Sequence, residues 1–142
     1  MKVAIASDHA GFELRQKVKQ QLEGMGMQVV DLGCPNTESC DYPDYGRKAA
    51  QMVANGEVER GVLVCGTGMG MAMCANRFKG VRAALCFDLF GTRLCRLHND
   101  ANILVLAGKM TGEGLAQAIV EEFFATPFEG GRHLRRIQKL DE

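Results

Sequence analysis

Short apolar runs alternate along this chain with stretches in which apolar residues recur every three or four positions. Lys2 to Ser7 (KVAIAS), Met27 to Gly33 (MQVVDLG), Val62 to Cys65, Val81 to Cys86 and Asn102 to Ala107 read as strands. Their β-branched and small apolar residues suit a sheet covered on both faces. Between them, Phe12, Leu14, Val18 and Leu22 predict an amphipathic helix that Gly24 and Gly26 end. A polar loop from Cys34 to Tyr45, containing Pro35 and Pro43, precedes a helix that Asp44 is placed to cap. That helix carries Ala49, Ala50, Met52 and Val53 and runs to about Asn55-Gly56. Further helices are predicted over Met69–Phe78, Leu89–Leu97 (ending at His98-Asn99-Asp100), Gly112–Phe124 and, after Pro127 and Gly130-Gly131, Arg132–Leu140.

Strands that alternate with helices, with no hairpin dipeptide joining two strands, require right-handed crossovers and a parallel sheet of about five strands. The expected fold is a doubly wound, Rossmann-like α/β domain occupying residues 1–142, with no internal repeat or low-complexity segment. In such a sheet, ligands bind beyond the carboxyl ends of the strands. Asp8-His9, Cys65-Gly66-Thr67 and Gly108-Lys109 stand at those ends, and His98-Asn99 lies in the turn before the last strand.

GVLVCGTGMGMAMCAN, from Gly61 to Asn76, is the most informative of these stretches. An apolar run stops at Gly66, and Gly66, Gly68 and Gly70 alternate with Thr67 and Met69 before a helix begins. A glycine turn between a strand and a helix amino end presents N–H donors and a positive dipole to an anion. With the thiol of Cys65 and the hydroxyl of Thr67 at its edge, the turn suits stabilising an oxyanion beside a base. The plainer reading is a tight turn with a buried cysteine. Elsewhere the plain readings are equally definite. Asp8 reads first as a helix cap, His98 as the polar end of a helix, and Met69, Met71 and Met73 as core filling. Arg132 and Arg136 stand four apart on one helical face, where two guanidinium forks fit a phosphate.

Charge narrows the partners. Seventeen Lys and Arg balance seventeen Asp and Glu without a long run of one sign, so a nucleic-acid partner is not expected and a small molecule is. The first apolar run is too short for a signal peptide or a membrane span, which points to a cytoplasmic protein without a membrane partner. The six cysteines are dispersed and read as reduced thiols. No CxxC occurs and the three histidines lie far apart along the chain, which gives a metal site little support.

Taken together, SDHAGFELR (Ser7 to Arg15), DYPDYG (Asp41 to Gly46), CGTGMGMAMCANR (Cys65 to Arg77), HNDANIL (His98 to Leu104) and EGGRHLRRI (Glu129 to Ile137) resemble ribose-5-phosphate isomerase type B across nearly the whole chain. The resemblance implies an aldose-ketose isomerase that uses no metal and no cofactor. It would interconvert ribose 5-phosphate and ribulose 5-phosphate through an enediolate, within the pentose phosphate pathway. By the same resemblance Cys65 is the base, Thr67 moves protons between the sugar oxygens, and the amides of Gly66, Gly68, Met69 and Gly70 form the anion hole. His98 opens the furanose ring with Asp8 as its partner at the sugar oxygens, Asn99 and Tyr42 contact the sugar, and His9, Arg132 and Arg136 hold the phosphate. Lys109 stands where an arginine is expected in many members; it keeps the charge and loses the bidentate fork. A homodimer or dimer of dimers is implied, with His98 reaching the neighbour's Cys65.

Pocket length is not legible in the sequence, so isomerases of allose 6-phosphate, galactose 6-phosphate or a tetrulose phosphate stand as alternatives. Some galactose-6-phosphate isomerase subunits keep the cysteine motif and lack the ring-opening histidine, and this chain has both. A non-catalytic module binding a sugar phosphate or nucleotide is the alternative of another class; binding alone does not need Cys65.

Overall fold

The computed structural model describes residues 1–142, and every apolar run becomes a strand of one sheet. In chain order the elements are β1 (Lys2–Ser7), α1 (Phe12–Gly24), β2 (Gln28–Asp31), α2 (Tyr42–Ala54), β3 (Arg60–Cys65), α3 (Met69–Ala75), β4 (Ala83–Leu85), α4 (Leu89–Leu97), β5 (Ile103–Ala107), α5 (Glu113–Ala125) and α6 (Arg132–Gln138). A 3-10 turn, His9–Gly11, joins β1 to α1. All five strands are parallel, in the order β2-β1-β3-β5-β4.

The three central strands are buried on both faces, which is why they read as continuous apolar runs. Val3, Ile5, Val62, Val64, Leu104 and Leu106 meet Val18 and Leu22 of α1 and Ile119, Val120 and Phe123 of α5. Ala4, Ala6, Leu63, Cys65, Ile103 and Val105 turn the other way, onto Ala49, Ala50 and Val53 of α2 and Met71 and Ala75 of α3. The division follows from handedness. Crossovers running one way along the sheet (β1 to β2, β4 to β5) put their helices on one face, and those running the other way put α2 and α3 on the opposite face. Each fully buried Val, Leu or Ile stabilises this arrangement by about 1.5–3 kcal/mol.

Several elements depart from expectation for local reasons. The loop after β2 ends at Asp41: α2 begins at Tyr42, with Pro43 in its first turn, where the missing N–H is not needed. Asp44 therefore lies inside that turn and is not the cap. Helix α3 stops at Ala75, short of Phe78, because the side-chain amide of Asn76 turns to the edge strand. It accepts from Ala83 N and donates to Ala83 O, both at 2.9 Å. Of the three methionines expected in the core only Met71 is buried; Met69 and Met73 are exposed. All six cysteines are free, and no helix is long and apolar enough to cross a membrane.

Candidate active site

Between β1 and β3 the chain departs in opposite directions, toward β2 from one strand and toward β4 from the other, which leaves a crevice at their carboxyl ends. Asp8 and His9 enter it from β1. Asp8 is buried; its N–H donates to Val64 O at 3.3 Å and its Oδ1 accepts from Gly11 N at 3.1 Å, so it does cap the 3-10 turn. His9 Nδ1 accepts from the backbone N–H of Cys40 at 3.2 Å. That bond makes Nδ1 the acceptor and leaves Nε2 to carry the proton of a neutral ring.

From β3 come Cys65, only 4% exposed, and the glycine turn. Gly108 N donates to Cys65 O at 2.8 Å and Lys109 N to Gly66 O at 3.0 Å, so the ends of β3 and β5 are held together. A Cβ on Gly66 would meet the Lys109 stem at 3.4 Å, which sets that lysine beside the turn. Gly68 has φ +77°, a left-handed conformation that glycine adopts without strain, and the turn then enters α3. Thr67 Oγ1 accepts from Met69 N at 3.3 Å, whereas the N–H groups of Gly66, Thr67 and Gly68 have no hydrogen-bond partner in the chain. Free donors beside a thiol are the arrangement expected of an anion hole. Tyr42 stands over the first turn of α3; a Cβ on Gly70 would lie 2.7 Å from its ring.

The other predicted residues gather at the opposite edge of the sheet. Because α4 and α5 run back from the carboxyl edge, His98, Asn99, Arg132 and Arg136 lie beyond the strands' amino ends. The ladder from Gly61↔Ile103 to Cys65↔Ala107 alone, at ~3.3 Å per residue, separates the two groups by about 13 Å. His98 ends α4, and its ring stacks on His133 with centroids 4.3 Å apart and planes within 14°. Its Nε2 lies 3.8 Å from Glu129 Oε2, and Glu129 N donates to Leu97 O at 3.1 Å, tying the segment before α6 to the end of α4. Burial, and the neighbouring Arg132 guanidinium after it, hold His133 below the usual imidazole range. A hollow of about 310 Å³ is lined by His98, Asn99, His133, Arg136, Ile137 and Leu140. Arg132 begins α6 one turn earlier and is exposed.

Sequence reasoning passed over three residues at this edge. Buried Arg96 donates to Asp100 Oδ1 at 2.8 Å and to Ala101 O at 2.6 Å, pinning the turn that carries His98 and Asn99. Glu129 and His133 lie within EGGRHLRRI without a local signal of their own, and His98 and His133, far apart along the chain, fold into a stacked pair.

The model of the ribose/galactose isomerase family matches residues 3–140. The chain belongs to that family. Among its members, ribose-5-phosphate isomerase B of Escherichia coli is 40% identical over 139 residues, covering 98% of this chain and 93% of that protein. The crystal structure of a ribose 5-phosphate isomerase from Thermotoga maritima superposes with a TM-score of 0.96 at 55% identity, covering 99% of this chain and 97% of that one. A ribose-5-phosphate isomerase B from Mycoplasma genitalium, solved with bound ribulose-5-phosphate, has a TM-score of 0.94 at 40% identity and covers 98% of this chain and 93% of that one. The ribose/galactose isomerase family is therefore matched over nearly all of the chain, including both edges that carry the candidate residues.

Proposed function

We propose that this chain interconverts ribose 5-phosphate and ribulose 5-phosphate. The observation that carries the reading is the placement of Cys65 against the unpartnered amides of Gly66, Thr67 and Gly68. An aldose becomes its ketose when the C2 proton is removed, the enediolate oxygen is held, and a proton is returned to C1. The Cys65 thiolate takes and returns the proton. The turn amides, with that of Gly70, hold the developing oxyanion; the Met69 N–H fixes Thr67 Oγ1, which passes the proton between O1 and O2. Asp8 keeps one carboxylate oxygen beyond its capping bond for a sugar hydroxyl, and Tyr42 and Asn99 flank the chain of hydroxyls.

Ring opening and phosphate binding fall to His98, Arg132 and Arg136, with His9 Nε2–H and Lys109 adding donors to the phosphate. The wide separation of His98 from Cys65 within one chain supports a site shared between two subunits. In a two-fold dimer, the amino edge of each chain meets the carboxyl edge of the other twice. No step calls for a metal or an organic cofactor, since the charge that develops is met by amides and the proton by a thiolate.

A panel of ribose 5-phosphate, allose 6-phosphate, galactose 6-phosphate and erythrose 4-phosphate, assayed for ketose formation, tests the reading. The highest kcat/KM is expected for ribose 5-phosphate. A higher value for a six-carbon or four-carbon substrate reassigns the enzyme, and turnover of none of them returns the chain to a binding role.

A further inference from the structure

Among the free cysteines, Cys86 and Cys95 bring their sulfurs face to face, 3.9 Å apart. Cys34 Sγ instead donates to Asn36 O at 3.2 Å, and Cys40 Sγ lies 3.8 Å from His9 Nδ1. The proposed isomerisation uses neither Cys86 nor Cys95. We infer that these two residues are an oxidisable dithiol, a modification site that hydrogen peroxide closes to a disulfide.

The pair is sheltered but reachable. Cys86 is 4% and Cys95 9% exposed, and Cys95 lines a hollow of about 400 Å³ whose polar wall includes Asn76, Arg82, Asn99 and Asp141. Such a hollow admits a peroxide, which is little larger than water. A disulfide is about 2.05 Å long, so the sulfurs approach by about 1.9 Å on closing. Cys86 lies in the connection between the end of β4 and the start of α4, outside both, where the chain can follow that movement. The sulfurs are not equivalent. Cys95 carries a proton for which Thr92 O at 3.1 Å and Cys86 Sγ are the acceptors. The hydrogen bond from Cys95 holds the Cys86 thiol below its ordinary range against the effect of burial, while the same contact, and burial after it, push Cys95 up.

The Cys86 thiolate attacks one peroxide oxygen. The O–O bond breaks, and the departing hydroxide keeps the electron pair and takes the Cys95 proton. Cys95 Sγ then attacks the sulfur of the Cys86 sulfenic acid; the S–S bond forms, the S–O bond breaks, and the second hydroxide takes a proton from solvent. Two thiols and one peroxide give one disulfide and two waters, each sulfur losing one electron and each peroxide oxygen gaining one. The bridge fastens α4, three residues before His98, to the chain leaving edge strand β4. Its formation does not depend on the isomerase reading.

The reduced full-length protein is treated with hydrogen peroxide in the presence of a chelator, quenched in acid, unfolded and alkylated with iodoacetamide, then digested with trypsin without reduction. Cleavage after Arg82, Arg93 and Arg96 puts Cys86 and Cys95 in different peptides, so only a disulfide holds Ala83–Arg93 to Leu94–Arg96. That linked pair, lighter by two hydrogen atoms than the sum of its free peptides, is expected in most chains and should vanish on reduction. In Cys95→Ser, dimedone should capture Cys86 as the sulfenic acid. Recovery of Cys86 and Cys95 as alkylated thiols from the wild-type protein overturns the proposal, whatever the other cysteines have done. So does a bridge from either residue to another cysteine.

Discussion

Cys65 ends β3 within the apolar cluster that also contains Ala49, Ala50 and Val53 of α2, where alanine remains an apolar side chain. Cys65→Ala is expected to lower kcat by about 10²- to 10⁴-fold, the usual loss for a removed acid or base. Unfolding in urea should change by less than about 2 kcal/mol. A loss of kcat under tenfold would move the base to another residue. His98 invites a different comparison, because ring opening precedes proton removal. His98→Asn should spare erythrose 4-phosphate, which cannot close a furanose through its phosphorylated oxygen, relative to ribose 5-phosphate. Equal losses in kcat/KM on both would put His98 in the proton-transfer step. These residues were legible in sequence because each sits beside a local signal, a strand end, a glycine or a helix end. Glu129 and His133 were not, because their significance comes from Leu97 and His98, distant in sequence.

At the scale of elements, the instructive one is α3. Its apolar pattern extends to Phe78, yet the helix ends three residues earlier, where Asn76 has the choice of continuing the helix or serving the sheet edge. Two hydrogen bonds to Ala83 decide it. They also satisfy the outer side of β4, a strand of three residues that is paired only with β5. Replacing Asn76 by alanine should destabilise the protein by about 1–3 kcal/mol, given ~0.5–1.5 kcal/mol for each of the two hydrogen bonds. Urea unfolding measures this directly. No change would mean that the ladder to β5 suffices to hold the edge. The shift of the α2 start to Tyr42 has a similar origin: Pro43 reads as a loop residue in isolation, and it is equally at home in the first turn of a helix.

At the scale of the whole molecule, the two groups of candidate residues occupy opposite edges of one sheet, and the proposed dimer brings them together. Homodimers of Cys65→Ala and of His98→Asn should each be nearly inactive, since every site lacks one group. Refolded together in equal amounts, about half the dimers are mixed, and each has one intact site of two. Activity should then return to roughly a quarter of the wild-type level by symmetry alone. No recovery, with mixed dimers verified through a tag on one variant, would refute a shared site.

The amino-acid sequence by itself determined the order and type of the strands and helices, the parallel sheet, and the residues at the strand ends. All of these depend on periodicity and on glycine, proline and capping residues acting within a few positions. The family resemblance added roles for those residues. Only the tertiary structure decided the strand order, the separation of Cys65 from His98, the stacking of His98 on His133, and the closing of Glu129 onto both. The physical reason is that a periodic pattern records which side of an element is buried but not what it is buried against. Strand neighbours and the meeting of α4 with the α5–α6 connection are settled by which apolar faces pack together, and those pairings join residues far apart in the chain.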